Sequence, residues 1–551
     1  MLARRLYSSG AGSCLRTLKV LNKNMSASIS RRSLLHLVGL TAGSAAAYQA
    51  ALGLGLVADA RAESRPDLAP LGHASRSVVI LGGGISGLTA AYELSRKGYH
   101  CTILEASYRA GGRNFTARHG ALIDEIGNPQ ICQFDPDPDL YLNMGPARIP
   151  GHHTTLLEYC RELGVQMAPF VNQNRNAWVQ DDAAFGGKPV RNREYVTDAR
   201  GFIAELTSKC VSSGRLDDAV SHDDAERVVE FLRAFGDLDR TNAYKGSLRA
   251  GLVSTDYTVP PQLKATRQFP ELLKTHLWQI VMSFDENEDQ AAMLMEPVGG
   301  MDKIVDAFTA VLGPMVQTHC RVESVMVRDK DVEVIYRGPE GRKKITADFC
   351  LNCIPFQLMA GIPNNFPADY SAAFTAISRG KLMKIGFQMR ERFWEKQMIY
   401  GGISWTTQDI TQIWYPCHGI HGKKGVVLGA YVFGGTASDR FEVMTPAERL
   451  EAAISQGERV HPDYRSHVET GVSVCWHRMN NMLGCAAEWQ PEVRDQYFAR
   501  LQAPFGRHYM IGDQVSYHSG WQQGAMHSAL HAVKDIDARV RAELNTGATA
   551  A

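Results

Sequence analysis

Residues 77–113 read SVVILGGGISGLTAAYELSRKGYHCTILEASYRAGGR, and this stretch decides the fold. A β-branched apolar run enters the turn Gly82-x-Gly84-x-x-Gly87, a helical pattern follows, and a second apolar run ends at Glu105. Gly82 suits a tight turn, Gly84 a close backbone approach to a pyrophosphate, and Gly87 close packing of helix on strand. Glu105 lies 18 residues after Gly87, near the ~20 typical of the acid that binds a ribose. We therefore predict a strand–helix–strand unit that binds a dinucleotide.

A second glycine pair, Gly111-Gly112, follows between Arg109 and Arg113. It brings further backbone and positive charge to a diphosphate, and NAD dehydrogenases do not usually have it. The combination resembles the glutathione-reductase-type FAD fold, in particular the flavin amine oxidase superfamily. The resemblance implies an α/β chain: a Rossmann-like domain that binds FAD non-covalently, an antiparallel-sheet substrate domain and a helical insert.

Composition places the chain among ordinary globular proteins. It has 551 residues, of which 44% are hydrophobic and 21% charged, enough for two or three domains. Its net charge is +1, but residues 1–58 hold seven Lys or Arg and no acid. The rest of the chain is net negative, and nothing in the charge pattern indicates a nucleic-acid partner.

The basic N-terminal region resembles an export signal. SRRSLLH at residues 30–36 is similar to a twin-arginine motif, and a mildly apolar stretch, residues 34–57, follows it. Small residues at 58–62 suit signal-peptidase cleavage. We expect residues 1–62 to be a leader and the mature protein to be periplasmic or secreted. The alternatives are a membrane anchor, a disordered tail, an organelle-like presequence or a start at Met25; beyond the leader, no apolar run is long enough for a membrane span.

Eleven cysteines are spread along the chain. The odd count and irregular spacing argue against a disulfide scaffold. Cys350-x-x-Cys353 has no second such pair, so core packing is the better interpretation and we predict no metal site.

Periodicity divides the rest of the chain. Residues 183–290 read mostly as helices, with apolar residues at helical spacing in 226–238 and 269–284. Residues 380–480 contain alternating, strand-like runs that predict an antiparallel sheet. By segment, we predict an FAD-binding domain (76–130, 291–375 and 481–545), a substrate domain (131–182 and 376–480) and a helical domain (183–290). Further predicted elements are helices at 154–163, 304–311 and 524–541 and strands at 321–327, 332–336, 349–354 and 508–513.

One segment narrows the resemblance to L-amino acid oxidases. LNMGPARIP at residues 142–150 is similar to a family segment whose arginine binds the substrate α-carboxylate, which implies that role for Arg148. A guanidinium offers a planar fork for such a contact. Simple amine oxidases lack this arginine. The alternative is an arginine that holds its own loop through a salt bridge.

The same resemblance implies further substrate contacts. Tyr431, in a strand ending Gly-Ala-Tyr, would also contact the carboxylate, with a core aromatic as the alternative. The carbonyl of Gly520 would accept from the substrate amine, and Trp521 would line the pocket. Lys384 would be the catalytic lysine that holds a water near flavin N5, with Lys381 as a competing candidate.

The resemblance also implies a set of cofactor contacts, in which Asp513 binds the ribityl or pyrophosphate region and the helix that starts near Gln522 stabilises reduced flavin. The implied cofactor-binding residues are Gly82, Gly84, Ile85, Ser86, Gly87, Glu105, Ala106, Gly112, Arg113, Gly145, Pro146, Ala147, Arg148, Val322, Trp476, Gly512, Asp513, Gly520 and Trp521.

Two segments depart from the family pattern. Some venom L-amino acid oxidases have an active-site histidine in the helical domain, but residues 283–290, SFDENEDQ, contain none. We interpret these acids as a solvated helix end or as a selector for cationic side chains. Gly484-Cys485 falls where monoamine oxidases attach FAD covalently, but its surroundings match poorly, and a buried thiol is the preferred interpretation.

We therefore expect FAD-dependent oxidative deamination of L-amino acids by hydride transfer from Cα to flavin N5, with O2 as acceptor and 2-oxo acid, ammonia and H2O2 as products. The alternatives are an amino-acid 2-monooxygenase, an amine or polyamine oxidase, and a non-catalytic flavin-binding protein. The partners are the amino acid and O2, and the family often forms homodimers. The sequence does not identify which amino-acid side chain the substrate carries.

Overall fold

A computed structural model describes residues 65–72, 75–215, 221–254 and 256–549 of the chain. The predicted leader, residues 1–62, lies outside the described residues. Among those residues, no helix is both long enough and apolar enough to cross a membrane.

The glycine-turn stretch forms a strand–helix–strand unit, as predicted. Strand Arg76–Leu81, helix Ile85–Ser95 and strand Tyr99–Leu104 follow one another, and the two strands pair in parallel. They belong to a five-stranded parallel sheet with the spatial order Val316–Gln317, Tyr99–Leu104, Arg76–Leu81, Phe349–Asn352 and His508–Met510.

Both faces of this parallel sheet are covered. Because side chains alternate along a strand, Val78 and Ile80 pack into one core and Val79 and Leu81 into another. The first core is closed by the helices Ile85–Ser95, Asp302–Leu312 and Gln522–Thr549. The second is closed by an antiparallel sheet of Arg321–Val327, Val332–Gly338 and Gly341–Ala347. This layering is the predicted α/β fold.

The second large element is a seven-stranded sheet. Its order is Val190–Arg191, Trp178–Gln180, Ile403–Thr406, Gln412–Trp414, Gly425–Phe433, Leu382–Met389 and Val468–Cys475. All neighbouring pairs are antiparallel except Trp178–Gln180 with Ile403–Thr406. The prediction of an antiparallel sheet within residues 380–480 is confirmed, and Val190–Arg191 joins that sheet from the predicted helical region.

The remaining elements connect or flank these sheets. A small sheet pairs Ile149–Pro150, Leu294–Pro297 and Met167–Phe170, and three ribbons pair Thr116–Ala117 with Leu142–Asn143, Leu122–Ile123 with Gln130–Ile131, and Ser378–Arg379 with Ala487–Glu488. Within the described residues, the other α-helices are Thr154–Glu162, Asn192–Ser212, His222–Gly236, Phe269–Leu273, Trp278–Ser283, Phe356–Met359, Ala368–Ala376, Phe393–Lys396, Gly435–Glu442, Pro446–Gly457, Tyr464–His467 and Pro491–Gln502. Short 3-10 turns occur at Phe185–Gly187, Leu248–Ala250, Phe284–Glu286, Gly313–Met315, Trp476–Arg478 and Asp513–Val515.

The helical spacing across residues 269–284 does not give one helix. The structure has two short helices, Phe269–Leu273 and Trp278–Ser283. Between them, the backbone N–H of His276 donates to Oδ2 of Asp181 at 2.7 Å. That contact takes the donor that a continuous helix would use, so tertiary structure overrides the local pattern.

The region between residues 237 and 268 also differs from the prediction of mostly helix. Its described residues contain one 3-10 turn, Leu248–Ala250. Pro260 and Pro261 offer no backbone N–H there, which disfavours a helix. Arg65–Ala551 form one compact unit, and the division of the chain into three domains stays a prediction.

Candidate active site

The glycine turn shapes the first wall of the site by backbone geometry. Gly82 has φ +101°, which strongly favours glycine. A Cβ on Gly87 would lie 2.3 Å from the carbonyl oxygen of Gly82, whereas a Cβ on Gly84 would meet nothing within 4 Å. Gly87 is therefore required for packing inside the protein, while Gly84 leaves space for a neighbouring group.

Glu105 stands at the end of the adjacent strand and is buried. Its carboxylate accepts from the backbone N–H of Gly83 and of Ser107, each at 2.7 Å. Burial raises the pKa of Glu105 in spite of these bonds. Each oxygen keeps a lone pair, so the carboxylate can still accept hydrogen bonds from a ribose.

Arg113 and Asp513 join two distant segments at the opposite wall. Arg113 Nη1 lies 2.9 Å from Oδ2 of Asp513, and the second guanidinium nitrogen contacts the other carboxylate oxygen. Asp513 also accepts from the backbone N–H of Gly520 at 2.8 Å. Arg109 does not share this role: it donates to the carbonyl of Gly112 at 2.8 Å and so braces its own loop.

These walls enclose a cavity of about 550 Å³, within the size range of cofactor sites. Most of the predicted contacts line it: Gly82, Gly84, Ile85, Ser86, Glu105, Ala106, Gly112, Arg113, Gly145, Pro146, Val322, Tyr431, Trp476, Gly512, Asp513, Gly520 and Trp521. The predicted residues Gly87, Ala147, Arg148 and Lys384 are not among the lining residues. Arg148 and Lys384 contact two residues that are, Trp521 and Gly145.

Three observations indicate that the residues lining the cavity fit a dinucleotide. The turn leaves room at Gly84 for a diphosphate, beside the N-terminus of helix Ile85–Ser95. Glu105 lines the cavity from the end of the neighbouring strand. The N-terminal residues Gln522 and Ala525 of the long C-terminal helix reach the same cavity.

Lys384 is fully buried in the seven-stranded sheet. Its Nζ donates to the carbonyl oxygens of Asn143 at 2.9 Å and Gly145 at 2.6 Å, and lies 4.3 Å from the ring centre of Tyr431. Burial, aided by the positive charge of Arg148, lowers the pKa of Lys384 to about 7. This environment suits a group that exchanges a proton near neutral pH.

Lys381, the competing candidate, lies elsewhere. Its Nζ pairs with Asp439 at 2.8 Å and with Glu442 at 2.6 Å. These carboxylates raise its pKa. The structure therefore places Lys384, rather than Lys381, next to the cavity.

Arg148 is half-buried between aromatic rings. Its guanidinium carbon lies 5.1 Å from the ring of Trp414 and 5.6 Å from that of Trp521. Its Nε donates to Oε1 of Gln290 at 2.8 Å. Among the described residues, no carboxylate forms an ion pair with Arg148. The alternative in which Arg148 holds its own loop through a salt bridge therefore has no partner carboxylate there.

The acidic stretch 283–290 does not act as one solvated helix end. Asp285 and Glu286 approach arginines, but Asp289 and Gln290 point to the site. Asp289 contacts histidines, and Gln290 contacts Arg148. Sequence reasoning missed this pair because no local pattern links it to a segment 140 residues earlier.

Three cysteines, Cys320, Cys353 and Cys485, line the cavity as well. Cys353 contacts the carbonyl oxygens of Leu81 and Gly82, each at 3.1 Å, while Cys350 is fully buried. Core packing therefore describes Cys350, and Cys353 is a wall residue. Cys485 also reaches the cavity, and burial raises the pKa of its thiol. The interpretation of Cys485 as a buried thiol without a covalent bond to flavin stays a prediction.

Comparisons with known proteins agree with this geometry. Residues 85–537 match the family described as flavin-containing amine oxidoreductases. The chain is 25% identical over 482 residues to an L-amino-acid oxidase of Sistrurus catenatus edwardsii, with 84% of this chain and 87% of the relative covered. It is 27% identical over 497 residues to the flavin-dependent L-tryptophan oxidase RebO of Lentzea aerocolonigenes, with 85% and 98% covered.

Solved structures show the same fold. Putrescine oxidase bound to putrescine aligns with a TM-score of 0.58 at 17% identity, covering 84% of this chain and 99% of the other. Cyclohexylamine oxidase from Brevibacterium oxydans aligns with a TM-score of 0.56 at 16% identity, covering 86% and 100%.

Proposed function

Because the chain belongs to the flavin-containing amine oxidoreductases, we propose that it binds FAD non-covalently and oxidises L-amino acids to 2-oxo acids, releasing ammonia and H2O2. When bound, FAD would supply the redox chemistry, namely two-electron oxidation of the substrate at Cα and reduction of O2. The chain's own residues bind, orient and deprotonate the substrate.

The proposal rests mainly on the environment of Arg148, which is half-buried and has no carboxylate partner among the described residues. Its guanidinium is half-buried among aromatic rings, and burial lowers its pKa. The charge of Asp289 acts on it, but that carboxylate is hydrogen-bonded by histidines instead. A cation taken from water needs a partner, and a substrate α-carboxylate would supply one with bidentate geometry.

Tyr431 and Lys384, together with Arg148 and Gln290, form the part of the site that we call the substrate side. Tyr431 is near enough to Arg148 for the guanidinium to act on the pKa of its phenol, and its hydroxyl would donate a second hydrogen bond to the same carboxylate. Nζ of Lys384, with two of its donors held by backbone carbonyls, keeps one position for a water or substrate proton. A pKa near 7 lets this nitrogen accept a proton at physiological pH.

Relatives named for L-amino acid oxidation support an amino acid rather than a simple amine as substrate. The test compares L-phenylalanine with phenethylamine, which lacks the carboxylate, in wild type and Arg148→Ala. Loss of a desolvated charge pair predicts a fall in kcat/KM for the amino acid of about 30-fold or more, with little change for the amine. Peroxide-coupled steady-state kinetics give both values.

Arg200→Ala is the matched control, because it removes a guanidinium that approaches Glu286 instead. Equal losses for amino acid and amine in Arg148→Ala would contradict the carboxylate assignment. Product analysis distinguishes an amino acid oxidase from an amino-acid 2-monooxygenase, which would use the same site. The oxidase gives 2-oxo acid and H2O2, and the monooxygenase gives amide and CO2.

A further inference from the structure

A cluster of three histidines surrounds one carboxylate beside the substrate side of the site. His152 Nε2 and His153 Nε2 lie 3.1 and 3.2 Å from Oδ1 of Asp289, and His518 Nε2 lies 3.2 Å from Oδ2. His153 is 1% exposed, whereas the side chain of His152 is 39% exposed. The ring of His153 also packs edge-on against Trp521, with centroids 5.0 Å apart.

Pairing of two strands brings these residues together. Leu294 pairs with Pro150, which places the loop after Pro150 next to the loop before Leu294. His152 and His153 lie on the first loop and Asp289 on the second. The cluster therefore joins two segments that are far apart in sequence, and no local motif could have predicted it.

The spacing of the ligand atoms suits a metal ion. One nitrogen of His152, one of His153 and one oxygen of Asp289 all lie within 4.8 Å of one another. Bonds of about 2.0–2.1 Å in a tetrahedral zinc site place neighbouring ligand atoms roughly 3.3 Å apart. The observed 3.1 and 3.2 Å are close to two edges of such a site, and the third edge, between one nitrogen of each imidazole, is at most 4.8 Å.

The geometry points to a binding site for a divalent transition-metal cation of the Zn²⁺ class, held by His152, His153 and Asp289. Two imidazoles and a carboxylate form a donor set that zinc accepts, with the fourth position open to water. His518 holds the second carboxylate oxygen and acts as an outer partner that orients Asp289. The exposed ring of His152 provides the entry path.

An ion at this position would bind ligands from both the loop that follows Arg148 and the loop that carries Gln290, and so would link the two loops. Those two residues are themselves bonded through Nε and Oε1 at 2.8 Å. The proposal is independent of the oxidase reaction, because it concerns cation binding and can be tested without turnover.

The experiment titrates the full-length flavin-loaded protein with Zn²⁺ after removal of metals by a chelator. Isothermal titration calorimetry should show one equivalent of Zn²⁺ bound per chain and a rise in Tm. His152→Ala, chosen because the side chain is exposed, should weaken binding about tenfold or more, and His518→Ala should weaken it about 10- to 100-fold.

His276→Ala is the matched control, since His276 is an exposed histidine 3.7 Å from a different carboxylate, Asp181. It should bind Zn²⁺ as the wild type does. A crystal soaked in Zn²⁺ should show an anomalous peak between His152, His153 and Asp289. Absence of bound zinc in the wild type, equal affinity in His152→Ala, or a peak elsewhere would overturn the proposal and show a purely hydrogen-bonded cluster.

Discussion

The two sides of the site are built in different ways. The wall at Gly82–Glu105 is made from one continuous stretch, and its shape depends on backbone dihedral angles and on the absence of side chains. The substrate side joins Arg148, Gln290, Lys384 and Tyr431, which come from four distant parts of the chain. Its properties depend on side-chain charge and burial.

The difference shows where each side is vulnerable. A single added methyl group can damage the backbone wall, because the atoms that would clash belong to its own turn. The substrate side tolerates small shape changes better, but it responds to the loss of a charge or hydroxyl. Substitutions on the two sides should therefore separate cofactor retention from substrate recognition.

The largest effect is expected from Gly87→Ala. The new Cβ would lie 2.3 Å from the carbonyl oxygen of Gly82, so the turn must move, at an overpacking cost of about 1–3 kcal/mol. We expect the purified variant to lose its flavin, and with it all activity. The flavin-to-protein absorbance ratio and urea unfolding of the apoprotein measure the two effects.

Gly84→Ala is the control for this clash, since its Cβ would meet no protein atom within 4 Å. It should leave apoprotein stability unchanged while it weakens flavin retention. If Gly87→Ala retained flavin at the wild-type ratio, the backbone wall would not depend on that close contact.

Lys384→Met should have the next largest effect, through pH dependence. Burial lowers the pKa of Lys384 from its ordinary 10.5 to about 7 in the folded chain. Between pH 7 and 10.5 the unfolded chain binds more protons, so the folded state gains stability as pH rises through that window. The variant should lose this gain in urea unfolding, and the step in its kcat/KM profile near pH 7 should disappear.

Lys381→Met is the matched control, because Lys381 pairs with Asp439 and Glu442 away from the cavity. Its pH profiles should follow the wild type between neutral pH and the ordinary lysine pKa of 10.5, because a raised pKa keeps Lys381 protonated there. Identical pH dependence in Lys384→Met and wild type would show that Lys384 does not titrate in this range.

Tyr431→Phe should have the smallest effect of the series. It removes one hydroxyl that would donate to the substrate carboxylate bound at Arg148, and one hydrogen bond contributes about 0.5–1.5 kcal/mol, or roughly 2- to 12-fold. We expect KM for L-amino acids to rise by that factor with flavin content unchanged.

Tyr415→Phe serves as its control. The hydroxyl of Tyr415 bonds to Ser404 at 2.7 Å and to His461 at 2.6 Å inside the sheet core. Its loss should lower Tm and leave KM unchanged. A KM for Tyr431→Phe equal to that of the wild type would remove Tyr431 from the carboxylate site.

Sequence reasoning recovered regular elements better than their interruptions. The strand-like runs within residues 380–480 predicted the antiparallel sheet, although its strands Leu382–Met389 and Gly425–Phe433 are buried on both faces rather than on alternate ones. The break between Phe269–Leu273 and Trp278–Ser283 was missed, since it follows from a hydrogen bond to Asp181 that no local pattern encodes.

The sequence by itself determined the cofactor wall. Glycine dihedral freedom, strand periodicity and the spacing to Glu105 are local properties, so residues 77–113 predicted the unit that formed. Only the tertiary structure decided that Gln290 meets Arg148 and that Asp289 meets three histidines. Those contacts depend on the pairing of distant strands and loops, and their burial and charge arise only when the chain has folded.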